Sequence, residues 1–563
     1  MKKENFSEKR SGGENDFSVS KTFLRKQEVI TVIGLIILAF IIRIYFLKFQ
    51  QFIGTDAAEY AVLGKNLISG NGYVGLSGQV NIVFPPLYPL LVGVSSVFVK
   101  NLELSGRLVS VLFGTLLIIP VYFFSKKIYS QKVAVISSLL VAFYWVLIDY
   151  STEVLTESTY TFLLICGALV GYTALTKQTK ALYLLSGIIF GLCYLTRPEG
   201  IGYIAILIFL TLIFNLALSH NQFEIKRLRK TLICCVALLI GFLVISSPYL
   251  LFLHDQSGKW TLGGKGAINI IIGERTSDPL TYEKIAYSLT EDGKEIKLGV
   301  QIYDKQGPNI VSYIISHPVE LAKRYVVNSG KQYLTHIPSI FPPLLILLVG
   351  IGLFRRKWTE ERLKKEFCMA LFVAYPLLTY PLFFVNSKFL VPILPIAIIW
   401  AANGINELQS WLTENLDLKK LDCFKQGLLF KNIVVVIIIL SLLPMMIPMS
   451  HQDYPVEHKE AGLWMKEHAP QDSVIMSRKP WVAFYAERIG ISLPYANYSQ
   501  MLYYARCHNV SHVVIDERLI SELRPELAFL LDETKAPGND LKLIYKNDSR
   551  HRILIYKVLY KSS

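Results

Sequence analysis

The sequence predicts an α-helical polytopic membrane protein with about eleven transmembrane helices and a C-terminal extracytoplasmic α/β domain. Its 563 residues are 52% hydrophobic and only 18% charged, whereas soluble proteins are about one quarter charged. Apolar runs of membrane-spanning length recur along the chain. Basic residues cluster in the short segments between these runs, which is typical of cytoplasmic loops.

The first apolar run, 29–48, predicts a retained transmembrane helix rather than a cleaved signal peptide. It starts too far from the N-terminus, is long and aromatic, and no small-residue cleavage site follows it. The polar residues 1–28 before it predict a disordered cytoplasmic tail. The ten further spans are predicted at 106–125, 133–148, 158–176, 181–195, 201–218, 232–253, 338–354, 367–385, 389–404 and 432–449.

The basic segments fix the predicted orientation. Lys126 and Lys127, the run 226–230 and the run 355–365 all fall on the cytoplasmic side if the N-terminus is cytoplasmic. The apolar segment 82–98 would reverse this pattern as a span, so we interpret it as a re-entrant or interfacial helix. The net charge of +15 therefore reflects membrane topology and indicates no nucleic-acid partner.

Three sizeable pieces are predicted on the outer face. Within the transmembrane domain 29–449, one outer loop covers 49–105. A second covers 254–337 and ends in an amphipathic helix over 318–334. The tail 450–563 predicts a soluble α/β domain, with a helix at 460–469 and strands at 473–477, 512–516, 541–545 and 552–558.

The first outer loop carries a carboxylate pair, Asp56 and Glu59, beside Tyr60. Their spacing places both carboxylates on one face of a helix. One interpretation is chemistry at a membrane surface. The other is helix capping, with Asp56 as the N-cap and Glu59 as its capping-box partner.

Further ionisable groups fall at the same predicted rim. Glu153 and Glu157 stand at the outer entrance of a span, Arg197 precedes Pro198 at a helix break, and Lys388 precedes a late span. Such groups near a membrane are functional candidates. Each also has a structural interpretation, because Glu157 suits a helix N-terminus, Arg197 could snorkel and Lys388 could be an interfacial anchor.

Together, the carboxylates and cations favour one reaction. Moving a sugar from a lipid phosphate to a hydroxyl needs a carboxylate to deprotonate or orient the nucleophile. It also needs basic groups to stabilise the departing phosphate. Both requirements are met on one predicted face of the bundle.

The order of short motifs resembles a known class of enzyme. Asp-x-x-Glu-Tyr (56–60) is followed by GNGYV, PPLYPLL, Arg107-Leu108, EVLTESTYTFLL, LTRPEG and KFLVPILP. In the tail come GLWMKEHAPQDSVI, AFYAERIGISLPY and YYARCHNVSHVVID. From about residue 29 onward the chain resembles the GT-C class of polytopic glycosyltransferases, in particular the protein-mannosyltransferase-like (family 39) and aminoarabinose-transferase-like (family 83) enzymes.

The resemblance implies an inverting integral-membrane glycosyltransferase that takes a hexosyl or pentosyl group from a polyprenyl-phosphate donor. The acceptor is a hydroxyl on a protein, a lipid or an envelope glycan at the outer face of the cell membrane. The family's catalytic carboxylates fall on Asp56 and Glu157. The substrate-binding positions implied by the resemblance are Glu59, Tyr60, Glu153, Arg197, Lys388 and Arg107.

Three points stay open from the sequence. Aminoarabinose-transferase-like enzymes carry a lysine before the PPLY proline, where this chain has Phe84, so Arg107 or Arg324 would have to replace it. No histidine cluster compels a metal, but a divalent metal at Asp56 stays open, because some relatives bind one near that position. The competing reading is a polyprenyl-lipid flippase or transporter, but the chain shows no internal repeat and its charges lie at one face.

Overall fold

The computed structural model describes most of the chain. Twenty-three α-helices and one sheet occur in the described part. The described ranges are 13–217, 225–264, 279–297, 314–383, 385–415, 427–450, 453–518, 520–547 and 549–560.

The helices up to the predicted tail form the transmembrane region and its loops. In chain order they are α1 Gly13–Leu47, α2 Thr55–Ile68, α3 Leu87–Phe98, α4 Leu102–Leu116, α5 Ile118–Ile128, α6 Gln131–Phe143, α7 Trp145–Thr152, α8 Glu157–Lys177, α9 Lys180–Tyr194, α10 Ile201–Leu212, α11 Ile225–Ser257, α12 Pro279–Tyr287, α13 Pro318–Lys331, α14 Ile337–Ile340, α15 Pro343–Phe354, α16 Glu360–Thr379, α17 Ser387–Leu390, α18 Leu394–Asn415 and α19 Gly427–Leu442.

The helices confirm a multi-pass membrane protein. Within the described residues, six helical segments are long and apolar enough to cross a membrane, or up to eight if each of two bent pairs counts as one span. The bends are 54° between α6 and α7, and 97° between the segments Pro318–Ile340 and Pro343–Phe354. Other predicted spans fall on shorter apolar helices, such as α9. The total of eleven transmembrane helices therefore stays a prediction.

The first helix begins earlier than the sequence analysis predicts. It starts at Gly13, so residues 13–28 are helical where a disordered tail is predicted, and that prediction is wrong for this stretch. Residues 1–12 lie outside the described range. The physical reason is cooperativity: once the apolar segment is helical, each further residue adds a hydrogen bond without a new nucleation step.

The segment 82–98 contains a helix that is too short to span. α3 has 12 residues and is therefore about 18 Å long, against a hydrocarbon core of about 30 Å. It packs closely on α2, because a Cβ added to Gly64 would lie 2.2 Å from the carbonyl oxygen of Pro89. This geometry supports the re-entrant or interfacial interpretation.

The second predicted outer loop is described only in part. Its amphipathic helix is present as α13 and continues through a π-helical turn to α14. α12 lies in the same loop. Residues 265–278 and 298–313 are outside the described ranges.

The tail forms the predicted α/β unit around a five-stranded mixed sheet. The strand order is β2-β1-β3-β5-β4, with parallel pairing of β2 with β1 and β1 with β3, and antiparallel pairing of β3 with β5 and β5 with β4. The sequence analysis misses β2. The elements are α20 Val456–His468, β1 Val474–Ser477, α21 Trp481–Ala486, β2 Ile489–Ser492, α22 Tyr498–Cys507, β3 His512–Asp516, α23 Ile520–Leu523, β4 Leu541–Lys546 and β5 Ile553–Val558.

The C-terminal domain shares a hydrophobic core with the first loop. Ile475 and Ile555 from one face of the sheet, with Val482 of α21, belong to the same buried cluster as Ile53 and Tyr88. The domain therefore packs directly on the α2–α3 unit, since burial of continuous apolar surface stabilises the contact.

A buried carboxylate reinforces this junction. Glu103 of α4 pairs with Arg107 and with Lys459 of α20, the latter at 3.0 Å. It also accepts a hydrogen bond from the Tyr485 hydroxyl at 3.2 Å. Tyr485 in turn accepts one from the backbone N–H of Ile53. The segment that leads into α2 is thus held from both sides.

Candidate active site

Asp56 lies in the first turn of α2 but does not cap it. The N-cap is Gly54, and no side-chain capping hydrogen bond is present there. The predicted capping box of Asp56 and Glu59 is therefore wrong. Gly54 has an extended backbone, and the helix begins at Thr55, one residue before Asp56.

Glu59 forms hydrogen bonds with the loop that follows α2. Its carboxylate accepts hydrogen bonds from the backbone N–H of Leu76 at 3.2 Å and from the amide of Asn81 at 3.0 Å. Asn81 in turn accepts the backbone N–H groups of Val83 and Phe84. Glu59 thus holds the loop in place, and the substrate-binding role that the resemblance implies for it stays a prediction.

Asp56 meets Lys388, which is far away in the sequence. The Lys388 Nζ lies 3.5 Å from the Asp56 Oδ2, and the two side chains are 31% and 37% exposed. Asn386 caps α17 by accepting the backbone N–H of Lys388. The pair is long and partly solvated, so either partner can exchange it for a ligand without leaving a buried charge.

Glu157 and Arg197 form a second, buried pair. Arg197 Nη1 lies 3.0 Å from Glu157 Oε1, with side-chain exposures of 9% and 3%. The guanidinium also lies 3.7 Å from Glu199 and packs over the rings of Tyr160 and Phe389. Arg197 is therefore not a snorkelling side chain, and Glu157 does more than complement a helix dipole.

Tyr60 stands between the two pairs. Its ring packs edge-on against Phe84 at 4.8 Å and Tyr88 at 5.4 Å. Burial, with added repulsion from Asp56 and Glu157, raises the pKa of Tyr60 well above its ordinary value. The phenol therefore keeps its proton. Phe84, which occupies the expected lysine position, serves as an aromatic wall for this tyrosine.

A cavity of about 380 Å³ adjoins Asp56. Glu153 lines it from the α7–α8 connection, and Tyr454 and Trp481 line it from the C-terminal domain. Burial raises the pKa of Glu153 to about 8, assisted by repulsion from Asp149 and Glu157. Glu153 is thus largely protonated at neutral pH and can donate a hydrogen bond.

Arg107 contacts the backbone of the segment that leads to Asp56. Its guanidinium donates to the carbonyl oxygens of Gln50 and Phe52 and pairs with Glu103. These contacts hold the segment before Asp56, and the substrate-binding role that the resemblance implies for Arg107 stays a prediction. Arg324, the other proposed replacement for the missing lysine, is buried on α13.

Sequence reasoning misses the contributions of the C-terminal domain. Tyr454 and Trp481 line the cavity, and no local motif marks them. Lys479 lies within electrostatic reach of Asp56: burial lowers its pKa, and the carboxylates of Glu283 and Asp56 oppose that shift. The sequence signal that could have indicated these residues is a basic residue, Lys479, close to the aromatic Trp481 after β1.

The described side chains do not form a metal site. No group of three His, Cys, Asp or Glu side chains in that part of the chain is arranged to hold an ion. Asp56 instead contacts an ammonium group. The residues present therefore do not fit the divalent metal that the resemblance leaves open.

The comparisons with known proteins agree with this architecture. Residues 84–252 match the family model described as dolichyl-phosphate-mannose-protein mannosyltransferase. ArnT from Cupriavidus metallidurans, solved bound to undecaprenyl phosphate, superimposes with a TM-score of 0.58 at 11% identity, over 93% of this chain and 97% of that chain. A comparison with curated protein sequences finds no match.

A second type of structure is similar. AglB, the archaeal oligosaccharyltransferase from Archaeoglobus fulgidus, was solved with an inhibitory peptide and a dolichol-phosphate. It matches with a TM-score of 0.55 at 14% identity, over 88% of this chain and 70% of that chain. The chain has the GT-C fold. The predicted fold class, an α-helical polytopic membrane protein of GT-C type with a C-terminal α/β domain, is confirmed.

Within the GT-C fold, the two charge pairs relate differently to the matched family segment. Glu157 and Arg197 lie inside residues 84–252, whereas Asp56 and Lys388 lie outside them. The contact between Asp56 and Lys388 is therefore visible only in the three-dimensional structure.

Proposed function

We propose that this GT-C protein transfers a sugar from a polyprenyl-phosphate donor to a hydroxyl acceptor, with inversion at the anomeric carbon. One observation carries the proposal: Asp56 lines the cavity and also lies 3.5 Å from Lys388. A single carboxylate therefore stands between a space for the acceptor and a cation for the donor phosphate.

On the acceptor side, Asp56 is the general base. It takes the proton of the acceptor hydroxyl while the hydroxyl oxygen forms a bond to the anomeric carbon. The bond between that carbon and the phosphate oxygen breaks, and its electron pair leaves with the polyprenyl phosphate. A single displacement of this kind inverts the anomeric centre, through an oxocarbenium-like transition state.

On the donor side, Lys388 and Arg197 stabilise the phosphate as it gains charge. The cationic groups of Lys388 and Arg197 lie 5.6 Å and 5.2 Å from the ring centroid of Phe389, so this ring brings two cations into one neighbourhood. Preorganised cations in a partly desolvated site favour the charge that develops as the phosphate leaves. Glu157 holds Arg197 in position and is a positioning residue in this mechanism.

The lipid chain of the donor is accommodated by the sharply bent segment from α13 to α15. Exposed apolar side chains lie along it, including Val319 at 74% and Leu334 at 81%. Such side chains suit contact with lipid. The ArnT structure, solved with undecaprenyl phosphate, supports a polyprenyl-phosphate donor here as well.

The test follows a radiolabelled polyprenyl-phosphate sugar with purified protein in nanodiscs. We expect release of polyprenyl phosphate and a labelled acceptor with inverted linkage. Movement of intact donor across the bilayer without cleavage would instead favour the flippase. Neither cleavage nor movement of any donor in a panel of sugars would refute the proposal.

We also propose that the N-terminus is cytoplasmic and that the site and C-terminal domain face outward. Cys507 is exposed on α22 and can report this. A membrane-impermeant maleimide should label it in intact cells, and Cys507→Ser should abolish the labelling. Labelling only after permeabilisation would reverse the orientation.

A further inference from the structure

We infer that the cavity beside Asp56 is an acceptor subsite for a sugar ring without anionic groups, and that Trp481 of the C-terminal domain determines its specificity. The inference rests on the proposed transfer function and names the acceptor class for the same site. The acceptor hydroxyl that Asp56 deprotonates would belong to this sugar.

The cavity has the size and construction of a small-ligand site. Its volume of about 380 Å³ falls in the range of about 300 to 1,000 Å³ that such sites occupy. One wall is the segment 50–57, another is the α7–α8 connection with Glu153, and the third is formed by Tyr454, Pro455 and Trp481. Both halves of the protein are therefore needed to enclose it.

Aromatic rings supply its apolar surface. The rings of Phe52 and Trp481 pack edge to face at 4.9 Å. The imidazole of His458 packs against the same indole, with ring centroids 5.0 Å apart. Burial lowers the pKa of His458 to about 4, so the imidazole adds no charge at neutral pH. Rigid aromatic rings offer surface for the C–H groups of a sugar ring.

Polar groups complement the hydroxyls of such a ring. The Gln50 amide is oriented by the Tyr454 hydroxyl, which donates to its oxygen at 2.7 Å, and by Asp149 at 3.4 Å. Glu153, with its raised pKa, can donate as well as accept. The buried indole N–H of Trp481 has no hydrogen-bond partner among the described residues. Sugar hydroxyls need this mixture of donors and acceptors.

The charge of the lining disfavours anionic acceptors. The described residues that line the cavity include the carboxylate of Asp56 and no lysine or arginine, and Glu153 with its raised pKa supplies no balancing cation. Once Lys388 contacts the donor phosphate, a phosphate or carboxylate on the acceptor ring would meet the Asp56 carboxylate at short range in a partly desolvated space. A neutral or amine-bearing ring meets no such repulsion.

A protein acceptor fits less well. A serine or threonine side chain at Asp56 would bring few C–H groups to the rings of Phe52 and Trp481, whereas a sugar ring presents a whole face of them. The observations therefore favour a saccharide over a peptide.

The experiment compares acceptors with the full-length protein in nanodiscs and a labelled polyprenyl-phosphate sugar. The acceptors are methyl glycosides of neutral hexoses and hexosamines, their 6-phosphates, and a serine/threonine-rich peptide. We expect transfer to a non-phosphorylated glycoside at least tenfold faster than to its 6-phosphate or to the peptide.

Trp481→Ala should raise the KM for that glycoside at least tenfold and divert cleaved donor to water. Trp481→Phe, which keeps an aromatic ring, should stay within about threefold to fivefold. The matched control is Trp411→Ala, because Trp411 is 48% exposed at the end of α18; its KM should not change. Size-exclusion and thermal unfolding profiles establish that each variant is folded.

The outcomes separate the inference from the proposed function. Preferred transfer to the peptide or the 6-phosphate, or an unchanged KM in Trp481→Ala, would overturn the inference while the transferase function stands. If the wild-type protein cleaves no donor, the proposed function fails. Saturation-transfer NMR with the same methyl glycosides then decides whether a glycoside binds in the cavity at Trp481. A wild-type signal that disappears in Trp481→Ala supports it, and a signal that is missing from the wild type or unchanged in the variant overturns it.

Discussion

The two carboxylate–cation pairs of the site differ in burial and in geometry. Asp56 and Lys388 are each about one third exposed and 3.5 Å apart, whereas Glu157 and Arg197 are almost fully buried and 3.0 Å apart. A buried pair cannot lose one partner without stranding the other's charge, but a solvated pair can separate at little cost. Asp56 and Lys388, the open pair, are therefore suited to exchange partners with substrates. Glu157 and Arg197, the closed pair, are suited to hold one cation in place.

The first prediction removes the base of the open pair. Asp56→Asn keeps the shape of the side chain but cannot accept the acceptor's proton, so we expect transfer to fall by about 10²- to 10⁴-fold. Thermal unfolding in detergent should change little. Asp472→Asn, at an exposed position of the C-terminal domain, is the control. Wild-type turnover in Asp56→Asn would exclude Asp56 as the base.

The second prediction breaks the closed pair. Glu157→Gln leaves Arg197 without its nearest buried carboxylate and should destabilise the protein by about 3 to 5 kcal/mol, seen as a lower unfolding temperature. The double variant Glu157→Gln with Arg197→Met should recover part of that loss. Glu361→Gln is the control, because Glu361 pairs with Lys365 but is 81% exposed. A loss of stability no larger than that of the control would contradict the conclusion that Glu157 and Arg197 depend on each other as a buried pair.

The third prediction tests the cation of the open pair. Lys388→Met removes a charged contact to the donor phosphate, worth about 1.5 to 3 kcal/mol, so we expect kcat/KM for the donor to fall about 10- to 100-fold. Lys388→Arg should retain most activity. An acceptor KM that rises while the donor parameters stay constant would instead place Lys388 on the acceptor side.

The fourth prediction concerns pH and the neighbouring Glu153. Because burial raises its pKa to about 8, from about 4.3 in the unfolded chain, the folded state binds more protons between these values. Stability should therefore be highest on the acidic side of this window and fall as pH rises toward 8. Glu153→Gln should flatten this dependence in thermal unfolding scans. A stability that rises from pH 5 to 8 through the Glu153 carboxyl would contradict the raised pKa.

The sequence was sufficient to predict the ionisable members of the site but not their partners. Asp56 and Lys388 can be recognised as charges beside apolar segments, because ionisable groups at such places are rare. Their contact joins residues 332 positions apart, which no local pattern encodes. The capping prediction failed because helix α2 begins one residue before Asp56, and the helix end is the least certain feature of a sequence pattern.

The fold could likewise be predicted where periodicity is strong. Long apolar helices and four strands of the sheet are recognisable from pattern, but β2 is a four-residue strand, Ile489–Ser492, that contains a glycine. The sequence pattern did not predict the aromatic wall formed by Tyr454 and Trp481, because docking of the C-terminal domain depends on tertiary contacts. The contacts of Arg107 with the backbone carbonyls of Gln50 and Phe52 likewise have no sequence signature.

The Glu103 junction has a consequence for how the protein matures. Glu103 and Tyr485 are 382 residues apart, and the segment leading to Asp56 is held by both sides of that junction. During synthesis, the membrane helices emerge well before the final domain, and contacts of such long range form late. The nascent chain would therefore remain inactive until its last domain has folded against the first loop, which delays activity until assembly is complete.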